Sequence, residues 1–358
     1  MAETFATTEK VLDRCRELGF ALAGVADAGR SRWGEQLRQW LASNRHGEMQ
    51  YMADHVDLRL DPAAMVPGAA SVICVADRYH TGHRDAPQAG PARGRIARYA
   101  RGDDYHKVMK RRLHELCDDL QRAHPDEQFR ACVDTAPVLE RELAQRSGIG
   151  AVGKNTLLLE QGVGSYLLLG EVITTLPLEP TPDRLDVDPC GTCTRCIDAC
   201  PTDAITPWSV DATRCISYLT IEHRGTIEPE YHEPIGDWIF GCDICQEVCP
   251  HNRPTRRSRA QAVHETYAPR TTGFGLLEVL NWTEQDRRDA FTRSSMKRAK
   301  LGMMKRNALI AAGNALQRQD DAPLRQRVAA IADDEREVDL VRATARQVLE
   351  KLAQRQSG

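Results

Sequence analysis

What the chain lacks narrows its setting before any motif is read. The first ten residues, MAETFATTEK, carry neither the positively charged, apolar stretch of a secretory leader nor a twin arginine. A reducing cytosol is therefore expected, and disulfides become a poor account of the twelve cysteines. Clean apolar runs are missing too: the longest, TLLLEQGVGSYLLLGEVITTLPL, is broken by Glu160, Gly162, Gly164 and Glu171, which argues against a transmembrane helix. A soluble, cytoplasmic protein without membrane contact is expected. Net charge is equally scarce, at -3 over 358 residues, yet unevenly spread. From Arg293 to Gly358 there are 14 Lys/Arg against 8 Asp/Glu, and TRRSRA at 255–260 adds Arg256, Arg257 and Arg259.

Cysteine, by contrast, is concentrated, with eight of the twelve between Cys190 and Cys249. Cys190, Cys193, Cys196 and Cys200, followed by Pro201, form the C-x2-C-x2-C-x3-C-P run of ferredoxins that hold two [4Fe-4S] clusters. A second run, Cys242, Cys245 and Cys249 with Pro250, has Ile239 where its first cysteine would stand, and Cys215 is the natural replacement. A short loop supplies three thiolates to a cubane before the chain must leave, so the fourth cysteine of each run crosses to the other cluster. One cluster then rests on Cys190, Cys193, Cys196 and Cys249, the other on Cys200, Cys215, Cys242 and Cys245. Paired C-x2-C motifs also make zinc sites, but two runs each closing on Cys-Pro favour iron and sulfur. Cys15, Cys74, Cys117 and Cys132 are scattered and read as buried free thiols.

Periodicity divides the rest. Helices are expected over 8–18, 38–52, 103–123 and 136–147, strands over 20–28, 71–79, 128–133, 156–160 and 165–176, and a loop over 81–95. This alternation predicts a mixed α/β layer domain over 1–182, ending at the linker EPTPDRLDVDP. A ferredoxin-like module follows over 183–255. Beyond it, 256–358 reads as amphipathic helices of an α-helical repeat whose basic residues are either a solvated face or a nucleic-acid surface.

Three motifs in the first domain need separating. GIGAVG at 148–153 matches a dinucleotide fingerprint but follows a helix and precedes a strand, and Asn155 stands where a P-loop needs Ser or Thr. What remains is a glycine-rich turn that, with Lys154, can grip a phosphate or amide group. Asp104 and His106 form a D-x-H pair, but Met109 replaces the glycine of the corrinoid motif, so the pair reads as a helix start. Asp134 precedes Thr135, Ala136 and Pro137; it is either a cap for the helix that Pro137 opens or a general acid at a sheet edge.

The ordered segments RYARGDDYHKVMKRRL, VDTAPVLER, GIGAVGKNT, CISYLTIEHRG, FGCDICQEVCPHN and KRNALIAAGNAL, with the two cysteine runs, resemble the epoxyqueuosine reductase family over nearly the whole chain. Ala151 departs from the pattern, since a bulky aromatic is expected there. The resemblance implies a cobalamin-dependent iron-sulfur oxidoreductase that removes the epoxide oxygen of epoxyqueuosine at the tRNA wobble position, giving queuosine. It implies a cobalamin-binding catalytic domain, a two-cluster module and a HEAT-like tRNA-binding cap in a monomer served by a low-potential electron donor. By similarity Asp134 is the proton donor, kept protonated by burial against the corrin. Arg59, Tyr99, Asp134, Lys154, Asn155, Thr156 and Ser217 are the cobalamin neighbours. Arg256, Arg257, Lys297, Arg298, Lys300, Lys305 and Arg306 contact the phosphates of the anticodon arm. A reductive dehalogenase-like corrinoid enzyme and a ferredoxin-type carrier are the competing classes. The absent twin arginine weighs against exported dehalogenases, and some 180 residues before the cysteines weigh against a simple carrier.

Overall fold

A computed structural model describes residues 7–80, 85, 90–257 and 263–356. Its central sheet orders four antiparallel strands as Leu22–Asp27, Ser71–Arg78, Leu167–Thr174 and Phe129–Cys132. Side chains alternate between the two faces of the middle strands, and both faces are covered, which is why those strands read as apolar runs. On one face Ile73, Val75 and Val172 meet Val11, Met109, Leu113, Leu116 and Leu120 of the helices Thr8–Glu17 and Tyr105–Ala123. On the other, Val72, Cys74, Ala76, Leu169 and Ile173 meet Val138, Leu143, Ala144 and Ile149, around the helix Glu140–Arg146. The mixed α/β layer expected from the alternation is present, and Cys15, Cys74, Cys117 and Cys132 are buried in it.

The 19-residue helix Tyr105–Ala123 follows from its sequence: Asp104 caps it, and buried Tyr105, Val108, Met109, Arg112, Leu113, Leu116, Cys117 and Leu120 recur at three- and four-residue spacing. The helix expected over 38–52 is a correction. It covers Gly34–Ala42 and stops because Asn44 and Gly47 take left-handed backbone at φ 55 and 57. The chain re-enters a helix at Tyr51–Asp54.

A second, three-stranded sheet joins distant segments. Arg93–Ile96, in the stretch expected to be a loop, pairs in parallel with Trp238–Phe240 and antiparallel with Gly273–Gly275. Ile96, Ile239 and Phe240 continue into one core with Leu276, Val279, Met304, Leu309, Val328, Val341 and Val348 of the C-terminal helices. Those helices include Leu301–Leu316, Ala322–Asp333 and Asp339–Gln356, as the periodicity predicts. Ile239 is wholly buried in this core and is no stand-in ligand.

Candidate active site and cysteine module

Asp134 sits just beyond the strand Phe129–Cys132 with left-handed backbone at φ 40, a conformation that non-glycine residues hold only when their surroundings impose it. The helix after it starts at Glu140, preceded by Leu139, and has no side-chain cap, so Asp134 is not a helix cap. Its partner is His106: Nε2 donates to Asp134 Oδ2 at 2.9 Å, while Nδ1 donates to Asp104 Oδ1 at 2.8 Å. Asp104 also accepts from the His106 backbone N–H at 3.3 Å, so the D-x-H pair is a helix start and, in addition, belongs to a carboxylate–imidazole–carboxylate row. The His106 ring stacks on Tyr105 at 4.0 Å between centroids.

These contacts decide where the proton rests. Burial works against a charged imidazole, but hydrogen bonds to Asp104 and Asp134 outweigh it and raise His106 to about 9. Burial likewise works to raise Asp134, yet the His106 bond and charge hold that carboxyl below its usual range. The expectation that burial keeps Asp134 protonated is therefore corrected. The Asp134 side chain is 50% exposed and paired with a cation, and at neutral pH the proton is on His106.

Asp134 shares a cavity of about 450 Å³, open mouth included, with Tyr105, Glu140, Arg141, Ser165 and an apolar wall from Leu157, Leu158 and Leu167–Leu169. Arg141 Nη1 donates to the carbonyl of Thr156 at 2.6 Å and to its hydroxyl at 3.1 Å, pinning a residue with φ 64. Glu140 and Arg141 stand in the VDTAPVLER segment, but nothing local in that string distinguishes cavity residues from ordinary helix-start charges.

The other expected cofactor neighbours distribute unevenly. Arg59 donates to the Tyr51 carbonyl at 3.3 Å and lies in the field of Glu140 and Asp134, while its buried Nε has no partner among the described residues. Asn155 is 4% exposed; its Oδ1 accepts from Leu157 N–H at 3.3 Å, and its Nδ2 likewise has no partner among them. Tyr99 packs edge-on to Tyr105 and against Phe240, beside Gly241. A Cβ on Gly241 would come within 2.6 Å of the Ala97 Cβ, and its φ of 69 also favours glycine. Lys154 departs from its expected role: its Nζ donates to the carbonyls of Gly191 at 2.6 Å and Cys193 at 3.2 Å, so the ammonium is committed to the first cysteine loop. Its backbone N–H donates to Cys190 Sγ at 3.3 Å.

The eight cysteines influence one another's charge both within and between the two sequence runs. Burial pushes the Cys249 thiol up, and Cys190, Cys196 and Cys193 raise it further. Burial also raises Cys215, with Cys200 adding to it, whereas the backbone N–H groups of Tyr218 and Ser217 lower it. Cys242 is raised by burial and then by Cys245 and Cys215. Cys245 is raised by burial, by Cys215, Cys196 and Cys200, and by Asp243 between the two cysteines. Asp243 is itself held by Arg98, whose backbone N–H and Nη1 donate to it at 2.9 and 3.1 Å.

The basic residues divide as well. Arg256, Lys297 and Lys300 are exposed. Arg257, exposed too, bonds Glu160 at 2.7 Å, and Arg259 lies outside the described residues. Arg298 donates to Glu222 at 2.7 Å, lies 5.3 Å from the Tyr51 ring and is felt by Asp134. Lys305 and Arg306 are corrections. Lys305 is 6% exposed and paired with Glu337 at 2.5 Å. Arg306 is 0% exposed, and its guanidinium donates to the carbonyls of His223 and Gly225 at 2.7 Å and Leu219 at 2.6 Å. It ties the C-terminal helices to the cysteine module and presents no charge to a phosphate.

Two stretches of the chain match known family models. Residues 59–135 match the family model described as Epoxyqueuosine reductase QueG, DUF1730, and residues 189–252 match the 4Fe-4S double cluster binding domain. The chain is 40% identical over 313 residues to epoxyqueuosine reductase of Pseudomonas aeruginosa, covering 86% of this chain and 85% of that one. It is 38% identical to the Escherichia coli enzyme over 304 residues, 84% and 79% of the two chains. A solved epoxyqueuosine reductase in complex with an epoxyqueuosine-modified tRNA-Tyr stem loop superposes with TM-score 0.84 at 28% identity, covering 96% of this chain and 89% of that one. The Bacillus subtilis enzyme, solved with an aspartate-bearing catalytic loop swung out of its active site, superposes with TM-score 0.85 at 28% identity over 96% and 90%. With relatives this similar over most of its length, the chain belongs to the epoxyqueuosine reductase family.

Proposed function

We propose that this chain reduces the epoxide of epoxyqueuosine in tRNA to the alkene of queuosine, with two [4Fe-4S] clusters and a cobalamin as cofactors. The observation that carries the reading is Asp134 at the mouth of a cavity, bonded to a charged His106, in a chain of this family. The net reaction takes two electrons and two protons and releases the oxygen as water. The clusters rest on Cys190, Cys193, Cys196 and Cys249 and on Cys200, Cys215, Cys242 and Cys245, a reading supported by the match of residues 189–252 to a double-cluster domain and by the spacing of the two runs. A low-potential donor reduces them.

The residues present fit a corrin. Arg59 Nε and Asn155 Nδ2 are buried donors without protein partners among the described residues, as the amide-rich rim of that cofactor requires. Tyr99 offers an aromatic flank, Thr156 and Ser217 offer hydroxyls, and the turn carrying Lys154 offers backbone groups while its ammonium serves the cysteine loop. When bound, cobalamin supplies a strongly nucleophilic metal that converts single-electron delivery into two-electron chemistry at carbon.

The protein's own contribution is proton handling and placement. Asp134 accepts a proton from His106 and hands it to the epoxide oxygen, as a general acid does, while Asp104 holds the imidazole with Nε2 facing Asp134. The leucine wall keeps water from the reacting carbons. Arg256, Arg257, Lys297, Arg298 and Lys300 position the anticodon arm through phosphates, and Arg298, near Tyr51 and Asp134, links that surface to the cavity. The working units are a catalytic, cobalamin-binding domain over residues 1–182, a two-cluster domain over 183–255 and a HEAT-like helical cap over 256–358, in a cytoplasmic monomer.

The reading is tested by reconstituting the protein anaerobically with iron, sulfide and cobalamin. It is then mixed with an epoxyqueuosine-bearing stem loop and a low-potential reductant, and the nucleosides are identified by mass. Conversion to queuosine that requires cobalamin is expected. Conversion without cobalamin, or none with both cofactors loaded, overturns it.

A further inference from the structure

Lys154 and Asn155 are neighbours in the chain, yet they serve different sites. Their turn is closed by Gly153 N–H, which donates to the Leu157 carbonyl at 2.9 Å, and by Thr156 N–H, which donates to the Gly153 carbonyl at 2.8 Å. Leu157 lines the Asp134 cavity. Lys154 instead holds the loop of the first cysteine run at three points. Its backbone N–H donates to Cys190 Sγ at 3.3 Å, and its Nζ donates to the carbonyls of Gly191 at 2.6 Å and Cys193 at 3.2 Å. The residue is 8% exposed, and among the described residues no carboxylate pairs with its ammonium.

Trp208 covers this cation. Its ring centroid lies 5.6 Å from Lys154 Nζ, and its backbone N–H donates to the Lys154 carbonyl at 3.0 Å. It stands in the turn between the paired strands Ile205–Thr206 and Ser209–Val210 with left-handed backbone at φ 60, where such a turn ordinarily carries glycine or asparagine. It is also 50% exposed. A bulky apolar side chain in a strained turn, half in water, is an unusual choice for a hairpin tip and a suitable one for shielding a charge.

The second cysteine run is furnished differently. Asp243, between Cys242 and Cys245, is buried and paired with Arg98 at 3.1 Å, so charge there is balanced inside the protein. Beside Cys190 the buried cation has no such counter-charge. Asp188 and Asp198 do touch the first loop, accepting from Cys190 N–H and from the Thr194 hydroxyl at 2.8 Å each, but both are exposed and water screens them.

We propose that Lys154 is a positioning residue for electron entry: its ammonium and its N–H to the Cys190 sulfur raise the reduction potential of the cluster on Cys190, Cys193, Cys196 and Cys249, which therefore fills before the other, and Trp208 keeps that ammonium out of water. This rests on the reading of those cysteines as cluster ligands. Reduction adds one electron from the low-potential donor, makes and breaks no bond, and leaves the cluster one unit more negative. A buried, unneutralised cation on the loop favours the more negative state, and a hydrogen bond to a ligand sulfur draws charge in the same sense. The charge matters because it is shielded; in water the same ammonium would be screened.

The test is a potentiometric titration of the anaerobically reconstituted protein as parent, Lys154→Gln, Lys154→Arg and Trp208→Ala, followed by the paramagnetic signals of the reduced clusters. The parent should hold about eight irons and be reduced in two steps. Lys154→Gln keeps a donor for the loop carbonyls and loses the charge. At equal iron content its higher-potential step should move to more negative potential while the other stays in place. Lys154→Arg, which keeps the charge, should stay near the parent. Trp208→Ala leaves Lys154 and its hydrogen bonds intact, and should move the same step in the same direction by less and make it sensitive to salt. A purely structural lysine would change iron content or melting temperature and leave the potentials alone. Equal potentials in parent and Lys154→Gln, or a shift of both steps together, overturn the proposal. If Lys154→Gln fails to hold iron, Trp208→Ala decides in its place, and an unmoved step there overturns it. A parent with fewer than two clusters would bring down the ligand reading itself, and this inference with it.

Discussion

The cavity and the cysteine module are built in opposite ways. In the module, the proposed ligands within each run lie three or four positions apart, and only Cys215 and the proposed crossing of Cys249 and Cys200 depend on distant chain. In the cavity, Asp104 and His106 come from one helix start, Asp134 from a strand end 28 residues on, and Glu140 from the next helix. A cluster imposes its own geometry on thiols, so spacing can encode it. A proton has no such scaffold, and its place is set by which charges the fold brings together. His106 and Glu171 make the point: both keep a proton at neutral pH, one charged between two carboxylates and the other neutral in an apolar sheet.

The contrast is most exposed to refutation at the module. Cys215→Ser should reduce iron from about eight to about four per chain, because Ile239 is locked in the core and cannot substitute. Iron analysis with paramagnetic spectra checks this, and both clusters intact would reassign the ligand. On the cavity side, His106→Gln should slow single turnover by about 10- to 100-fold while retaining both cofactor types. Stability provides an independent reading. His106 is raised from 6.5 to about 9 in the fold, so its contribution is full below about 6.5 and disappears as pH rises through about 9. Melting temperatures across that window should slope downward in the parent and be flatter in His106→Gln.

Smaller effects separate buried from exposed charge at the C-terminal end. Arg306→Ala should cost about 3 kcal/mol or more, since it strips donors from the carbonyls of His223, Gly225 and Leu219. Denaturant unfolding measures it. Lys297→Ala with Lys300→Ala should leave stability nearly unchanged and flatten the salt dependence of stem-loop affinity by about one unit per phosphate contact. An unaltered salt slope would make those lysines a solvated face.

Much of the fold is legible in the sequence, for reasons that also mark where legibility stops. The helix Tyr105–Ala123 and the strand Ser71–Arg78 declare themselves because one has a single buried stripe and the other is covered on both faces. The strand Arg93–Ile96 hides in a Gly- and Pro-rich stretch because its two partners lie more than 100 residues away. Lys305 and Arg306 look like surface charge, yet the helix Leu301–Leu316 is buried almost all round, so net charge misreports what it exposes. Glu171 looks like a break in an apolar run and is the sealed acid of the central sheet. Asp134 falls between cap and acid on local pattern, and the helix start at Glu140 together with the contact to His106 separates the two.

The proton-donor role of Asp134 is tested most directly by a single-turnover comparison of parent and Asp134→Asn, each loaded with both clusters and cobalamin, on the epoxyqueuosine-bearing stem loop. The amide preserves the shape but carries no transferable acid proton. Unchanged iron, cobalamin and stem-loop affinity with turnover reduced by about 100-fold or more is the expected result; near-parental turnover in Asp134→Asn would contradict it.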